Sequence, residues 1–160
     1  MKELKPKEFI RNVLINEIGE LVTSHPYLSF ILMANGIEFL GKCINSNTPI
    51  WNQIKHSRKD FENAIKTIPS LEKYKKYLGK PYRMYSSFRC GLAHALSPKV
   101  KITLSSGKEM EHLKEHNGRL NLKVEDFYKD FKEACEWLLK QDFSAEDKMN
   151  KIFLEVPDKQ

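Results

Sequence analysis

The sequence YRMYSSFRCGLAHALSPK, residues 82–99, combines helical periodicity with the most reactive group of side chains in the chain. Its apolar side chains recur at three- and four-residue spacing, at Tyr82, Tyr85, Phe88, Leu92 and Leu96. This spacing predicts a helix with one face directed at a core. Pro81 suits the first turn of such a helix, because its missing N–H would have no partner there, and Ser97-Pro98 supplies a stop. We therefore predict a helix over about 81–96.

The remaining positions of this helix carry Arg89 and His94. Arginine always holds its charge and histidine titrates near neutrality, so the pair could hold a phosphate and move a proton. Five residues of helix correspond to about 140° of rotation, so the two side chains do not share a face. Either Arg89 reaches round, the helix distorts near Gly91, or the pair comes from two protomers, which the small Gly91 and Ala93 would allow to approach. Alternatively, both side chains hydrogen-bond loop carbonyls and hold the connection over 97–104 in place.

Length and composition indicate one soluble domain, which we place at residues 1–145, with a C-terminal tail over 146–160. Of the 160 residues, 41% are apolar and 30% charged, which argues against a disordered or membrane-embedded chain. The segment MKELKPKEF at the start mixes both charge signs and has no apolar core, so we expect a cytoplasmic protein with no membrane association. Three cysteines without C-x-x-C spacing predict neither disulfides nor a zinc site.

The net charge of +6 favours polyanionic partners, although lysines spread over helices are also typical of solvated surfaces. Two stretches are more basic than the rest, Lys55 to Lys59 and Lys73 to Arg83. The second, KYKKYLGKPYR, interleaves tyrosines with lysines directly before the central helix. It would set positive potential beside Arg89 and His94, and we select Lys80, Arg83 and Tyr85 as candidate binding residues.

The rest of the chain predicts a mainly α protein, a helical bundle of four to six helices with a small β-hairpin or flap between the last two core helices. Helical spacing covers about 7–24, 27–44 and 124–141, with short helices starting at Ser57 and Ser70. After Pro98 the pattern alternates, and Asn117-Gly118 is a dipeptide typical of tight hairpins. We expect the flap over about 99–124, with its middle strand within 110–116.

The helix over 27–44 is apolar nearly all round, apart from a stripe of Asn35, Glu38 and Lys42. Glu38 and Lys42 stand four residues apart in the favourable order for a surface ion pair. In the alternative, Glu38 faces the central helix and holds Arg89 or His94. Both Glu38 and Lys42 are therefore candidate binding residues.

No metal or cofactor is expected. His112 and His116 are four residues apart, but the hairpin context would separate them along a strand. The seven glycines are scattered and form no phosphate-binding loop.

The hexapeptide RCGLAH, Arg89 to His94, resembles the R-x4-6-H pattern of the HEPN superfamily (higher eukaryotes and prokaryotes nucleotide-binding domains), and the helix order over about 8–140 is similar. The resemblance implies a helical bundle that commonly dimerises, with arginine and histidine in a cleft at the dimer interface. Many members are metal-independent ribonucleases and others are inactive binding or scaffold versions. In catalytic members a polar residue usually follows the arginine, whereas Cys90 stands here.

Two functions follow as expectations. The first is an RNA-binding protein or endoribonuclease, with His94 as the base that accepts the 2′-hydroxyl proton and Arg89 as the cation that stabilises the phosphate. The second is a non-catalytic helical dimer that serves as an interaction module for a partner protein. A homodimer is expected in both, because the second helix needs more cover and the apolar tail IFLEV, residues 152–156, has no evident partner.

Overall fold

The structure is a computed structural model that describes residues 2–45, 51, 56–141 and 148–156. Six helices and five short strands make up this part of the protein. In chain order they are β1 (Lys2–Leu4), α1 (Pro6–Phe9, Ile10–Glu17 and Ile18–Ser24), α2 (Pro26–Ile44), α3 (Ser57–Thr67), the 3-10 helix Pro69–Tyr77, α4 (Tyr85–Arg89 and Cys90–Ala95), β2 (Ile102–Ser105), β3 (Glu115–His116), β4 (Arg119–Lys123), α5 (Val124–Leu139) and β5 (Leu154–Val156). The predicted mainly α fold with a small flap between the last two core helices is confirmed.

Helix α2 lies at the centre of the bundle and packs against α1, α3, α4 and α5. Ten of its residues are buried, as its nearly continuous apolar surface predicts. By length and composition it could also cross a membrane, but 56% of its most apolar 18-residue window is buried inside the fold, as in the core helix of a bundle. Its exposed apolar residues, Tyr27, Leu28 and Leu32, all lie in the first two turns.

Helix α5 closes the bundle with a single apolar stripe. The stripe is at most 1% exposed and consists of Val124, Phe127, Phe131, Ala134, Cys135 and Leu138. The stripe follows the three- and four-residue spacing of the sequence, and the helix starts at Val124 as predicted. The Tyr128 hydroxyl donates to the Ile15 carbonyl at 2.7 Å, which ties α5 to the π-helical middle of α1.

Helix α4 begins four residues later than predicted, and its first segment is π-helical. Arg83 has a φ of 46°, in the left-handed region, so the chain before Met84 does not follow helical dihedral angles. Pro81, which follows a cis peptide bond, therefore lies in the preceding turn instead of the first helical turn. Leu96, with a φ of 51°, ends the helix.

The flap is a three-stranded sheet in the order β2-β4-β3. The hairpin at Asn117-Gly118 is confirmed, with φ values of 50° and 70° at the two turn residues. The predicted middle strand is wrong, because β4 is the middle strand and the segment 110–116 supplies only the edge strand β3. Asn121 on β4 is fully buried, and its amide donates to the Ser105 hydroxyl at 2.8 Å. Strand β4 is thus covered on both faces.

The C-terminal tail docks on its own protomer. Strand β5 pairs antiparallel with β1, which joins the two ends of the chain. Phe153 packs among Phe9, Phe39 and Trp51, with ring centroids 5.3–5.4 Å from its own. Of residues 45–55, Asn45 and Trp51 are described and the other positions lie outside the described residues. The tail therefore no longer argues for a dimer.

Candidate functional site

Arg89 is held by Glu38 from the neighbouring helix α2. The Arg89 Nη2 and Glu38 Oε2 atoms are 2.6 Å apart, and the two side chains are 13% and 9% exposed. The interpretation in which Glu38 faces the central helix is confirmed, and the surface pair of Glu38 with Lys42 is wrong. Lys42 instead donates to the Trp51 carbonyl at 3.3 Å.

The Glu38–Arg89 pair is close but incompletely satisfied. Arg89 Nε is buried and has no acceptor among the described residues, and the geometry at Glu38 Oε2 is that of an ion pair without a well-aligned hydrogen bond. A buried guanidinium usually finds acceptors for its N–H groups. The pair therefore fixes Arg89 in place without using its full hydrogen-bonding capacity.

His94, in contrast to Arg89, is exposed to solvent near the end of α4. Its ring makes no hydrogen bond or ion pair within the part of the chain that the structure describes. The structure does not bring Arg89 and His94 into contact within one protomer, as the 140° rotation between positions five apart predicts.

Neither side chain holds the loop over 97–104, so this alternative is wrong. The loop is fixed by main-chain bonds from Ser97 N to the Gly91 carbonyl, 3.2 Å, and from Lys99 N to the Ser87 carbonyl, 2.9 Å. The Tyr27 hydroxyl donates to the Leu96 carbonyl. Gly91 permits this close approach, since a Cβ there would lie 2.6 Å from the Ser97 carbonyl oxygen. The absence of a side chain at Gly91 thus allows the loop of the same protomer to pack closely against α4.

Tyr85 connects the Glu38–Arg89 pair with a surface pocket. The Arg89 guanidinium carbon is 5.9 Å from the centre of the Tyr85 ring, and Phe61 meets the same ring edge-on at 5.6 Å. Burial, followed by a hydrogen bond with the Cys90 thiol, raises the pKa of the Tyr85 phenol. Tyr85 is therefore a neutral aromatic platform with Arg89 on one side.

The pocket beside Tyr85 has a volume of about 470 Å³. It is lined by Arg58, Leu78, Gly79, Lys80, Arg83, Tyr85 and Ser86. The structure thus brings together three of the predicted binding residues, Lys80, Arg83 and Tyr85. None of the lining residues is acidic, and within the described residues no carboxylate pairs with Lys80 or Arg83.

Sequence reasoning did not select Arg58, the third cation of this pocket. It belongs to the basic stretch Lys55 to Lys59, but nothing in the sequence places α3 beside the turn before α4. Its Nε donates to Glu62 at 2.8 Å, and Glu62 also accepts from Lys66 at 3.1 Å. Partial burial acts to raise the pKa of Glu62, but the hydrogen bonds from Arg58 and Lys66 together lower it below its ordinary value. One carboxylate is therefore shared by two cations, which leaves the pocket positive.

His112 and His116 lie in different environments. His116 is exposed on β3, whereas the His112 ring lies against the core and accepts a hydrogen bond from Lys123 N at Nδ1, 3.0 Å. Its Nε2 is 2.7 Å from the Tyr74 hydroxyl, which donates to Asp130 Oδ2 at 2.6 Å. Within the described residues no group of three or more His, Cys, Asp and Glu side chains is placed to hold a metal ion.

An exposed apolar patch flanks the end of α4. It consists of Tyr27, Leu28 and Leu32 on α2 together with Leu96 and Val100, whose exposures range from 41% to 73%. Leu96 is two residues from His94, and the hydrogen bond from Tyr27 joins the two parts of the patch. The patch therefore includes a residue close in sequence to the predicted catalytic histidine.

Comparison of the chain with protein-family models, with curated proteins and with solved structures finds no match. A fold does not by itself determine a function, which depends on the residues of the site.

Proposed function

We propose that the protein binds RNA as a HEPN-like protein, through the basic pocket and the adjoining helix α4. The observation that carries the proposal is the set of three cations, Arg58, Lys80 and Arg83, around one pocket that has no acidic lining residue. The net charge of +6 supports the same class of ligand, and a cytoplasmic protein would meet RNA in abundance.

Tyr85 favours a nucleic acid over other polyanions. Proteins that bind single strands combine cationic grooves with aromatic side chains on which bases stack, at about 1–3 kcal/mol per base. Tyr85 lines the pocket and is half-buried, with its ring braced by Phe61. A braced ring loses little entropy when a base stacks on it.

A second candidate function is metal-independent cleavage of the bound RNA. The observation that favours it is a fixed cation and a free histidine on the same short helix, Arg89 held by Glu38 and His94 open to solvent. The 2′-oxygen would attack phosphorus, the bond to the 5′-oxygen would break, and His94 would accept the 2′-hydroxyl proton. The leaving 5′-oxygen would take a proton from water, which gives a 2′,3′-cyclic phosphate and a 5′-hydroxyl.

Cleavage in this form requires a symmetric homodimer, since one protomer leaves Arg89 and His94 apart. The apolar patch of Tyr27, Leu28, Leu32, Leu96 and Val100 is the surface on which a second copy would dock. A two-fold axis through the patch would bring the α4 ends of both protomers together.

RNA binding is tested by fluorescence anisotropy with a labelled single strand. We expect Lys80→Gln combined with Arg83→Gln to weaken binding at least tenfold, and the charge-matched double variant Lys129→Gln with Lys132→Gln on α5 to bind nearly as the parent does. A parent chain that does not bind RNA at 100 µM (~1 × 10⁻⁴ M, the weak end of non-specific binding) would overturn the proposal.

Cleavage is tested on the same RNA with chelator present. We expect His94→Gln to abolish production of the cyclic phosphate while RNA affinity stays within about threefold of the parent. A parent that binds RNA and does not cut it leaves RNA binding as the function and ends the ribonuclease candidate.

A further inference from the structure

We infer that the basic pocket recognises an RNA end, with Arg58, Lys80 and Arg83 around a terminal phosphate monoester and Tyr85 against the terminal nucleoside. This inference rests on the proposed RNA binding and deepens it. One nucleotide enters the pocket, whereas the rest of the strand passes over the surrounding surface.

The shape of the pocket favours an end over a passing strand. Its volume of about 470 Å³ falls in the range of about 300–1,000 Å³ that is typical of small-molecule sites. Sites that track a continuous single strand are open grooves with several stacking platforms. Here one aromatic ring, Tyr85, lines a concavity together with the apolar wall of Leu78.

The charge of the pocket also favours a monoester. A terminal phosphate carries a charge of about −1.5 to −2 at pH 7, compared with −1 for the internal diester. Lys80 and Arg83 have no carboxylate partner within the described residues, and Arg58 shares Glu62 with Lys66. Arginine can also meet two phosphate oxygens at once with its planar guanidinium, which suits the three free oxygens of a monoester.

The main chain at Arg83 adds an independent observation. Its φ of 46° lies in the left-handed region, which is unfavourable for a non-glycine residue. The conformation is held by Arg83 N donating to the Gly79 carbonyl at 2.7 Å and by Ser87 N donating to the Arg83 carbonyl at 2.9 Å. Strained residues of this kind cluster at ligand sites. The strained residue here is one of the three cations of the pocket.

Gly79 keeps the pocket open. A Cβ placed on it would meet no atom within 4 Å, and its φ does not require glycine. Gly79→Leu therefore obstructs the pocket without removing a charge, whereas the charge variants keep the space and remove the cations. The two kinds of variant test shape and charge separately.

The experiment compares one RNA sequence with a 5′-phosphate, with a 3′-phosphate and with hydroxyl groups at both ends, each as a competitor against the same internally labelled RNA. We expect one phosphorylated form to bind at least tenfold more tightly than the hydroxyl form, and the better end identifies the orientation. Arg83→Gln and Gly79→Leu should each abolish this preference, and Lys129→Gln should retain it. Equal affinity for all three forms would overturn end recognition and leave the proposed RNA binding intact.

A second arm tests the pocket without a strand. In two-dimensional NMR spectra of the full chain, 5′-AMP or 3′-AMP should shift the amide signals of Gly79 and Ser86, and adenosine, which has the base but no phosphate, should shift them less. The absence of these shifts at millimolar nucleotide would overturn the assignment of the pocket. Melting temperatures of all variants should lie within about 2 °C of the parent, which separates loss of binding from loss of folding.

Discussion

Glu38 and Arg89 form the most consequential ion pair among the described residues, because both side chains are almost entirely removed from water. Burying two charges costs several kcal/mol each, which their attraction only partly offsets. Replacing one partner leaves the other as an uncompensated buried charge. The pair therefore links any function of Arg89 to the stability of the contact between α2 and α4.

Arg89→Gln should lower the free energy of unfolding by about 3 kcal/mol. For a chain of this length that corresponds to a fall in melting temperature of roughly 6–12 °C. Glu38→Gln in the same chain should restore more than half of the loss, since no charge is then stranded. Arg83→Gln, an exposed cation in the same region, serves as the control and should change stability by less than about 0.5 kcal/mol. An Arg89→Gln variant as stable as the parent would contradict the structural role of the pair.

Gly91→Ala tests the close approach at the end of α4. The added methyl would lie 2.6 Å from the Ser97 carbonyl oxygen, a main-chain atom that cannot move without breaking the bond from Ser97 N. We expect a loss of about 1–3 kcal/mol, in the range of overpacked sites. Gly79→Ala, where no atom lies within 4 Å, is the matched control and should be neutral. Chemical denaturation of the two variants measures the difference directly, and equal stabilities would refute the tight contact.

At the scale of elements, a chain of polar contacts joins the flap to the helices. Lys73 Nζ is 2.7 Å from Asp130 Oδ1, and the same carboxylate accepts from Tyr74, whose hydroxyl meets His112. His112 Nδ1 accepts from Lys123 N, so the neutral ring carries its proton on Nε2 and donates to the Tyr74 oxygen. The flap is thus fixed by a histidine that must stay neutral to accept a main-chain N–H.

The pH dependence of stability follows from this histidine. Burial lowers the pKa of His112 below its ordinary value of about 6.5, against an opposing attraction from Asp130. The unfolded chain then binds the proton more readily than the folded chain, so stability is lost as the pH falls below about 6.5. His112→Gln should flatten the melting-temperature profile between pH 7.5 and 5.5. His116→Gln, at an exposed position, should keep the profile of the parent, and an unchanged profile in His112→Gln would refute this account.

At the element scale the sequence predicted most helices and missed what depends on distant contacts. The spacing of apolar residues was sufficient to predict α2 and α5, because each helix buries regularly spaced apolar side chains along most of its length. The start of α4 was missed, because Pro81 suits both a first helical turn and a preceding turn. The sequence around Pro81 does not distinguish these two positions. The left-handed conformation of Arg83 in the fold does, because it places Pro81 before the helix. The parallel pairing of β2 with β4 was missed for the same reason, since alternation marks strands and not their partners.

The candidate site was likewise predicted only in part. Residues near one another in sequence, such as Lys80, Arg83 and Tyr85, were predicted together and do line one pocket. Arg58 and the partnership of Arg89 with Glu38 come from α3 and α2, whose packing fixes them. The five-residue spacing of Arg89 and His94 could not show that Arg89 turns toward Glu38. The polar stripe on α2 did make this contact one of the two alternatives for Glu38.

At the scale of the whole molecule, β1 and β5 close the chain on itself, so the exposed patch at Tyr27, Leu96 and Val100 is the feature that still argues for a partner copy. We expect light scattering to report a dimer at tens of micromolar, and Leu96→Glu with Val100→Glu to give a monomer. Ile152→Glu, at an exposed apolar residue outside the patch, should remain dimeric. A parent that is monomeric throughout this range would contradict the homodimer and the cleavage chemistry that requires it.

The central claim, that the basic pocket binds RNA phosphates, is tested most directly by the salt dependence of RNA affinity. Each phosphate contact on a single strand contributes about 0.7 to the slope of log K against log salt concentration. Between about 50 and 200 mM salt, the combined Arg58→Gln, Lys80→Gln and Arg83→Gln variant should therefore show a shallower slope than the parent, by about 0.7 for each phosphate contact that is lost. The charge-matched variant with Lys129, Lys132 and Lys140 changed to glutamine should keep the parent slope. Equal slopes for the parent and the pocket variant would contradict the account.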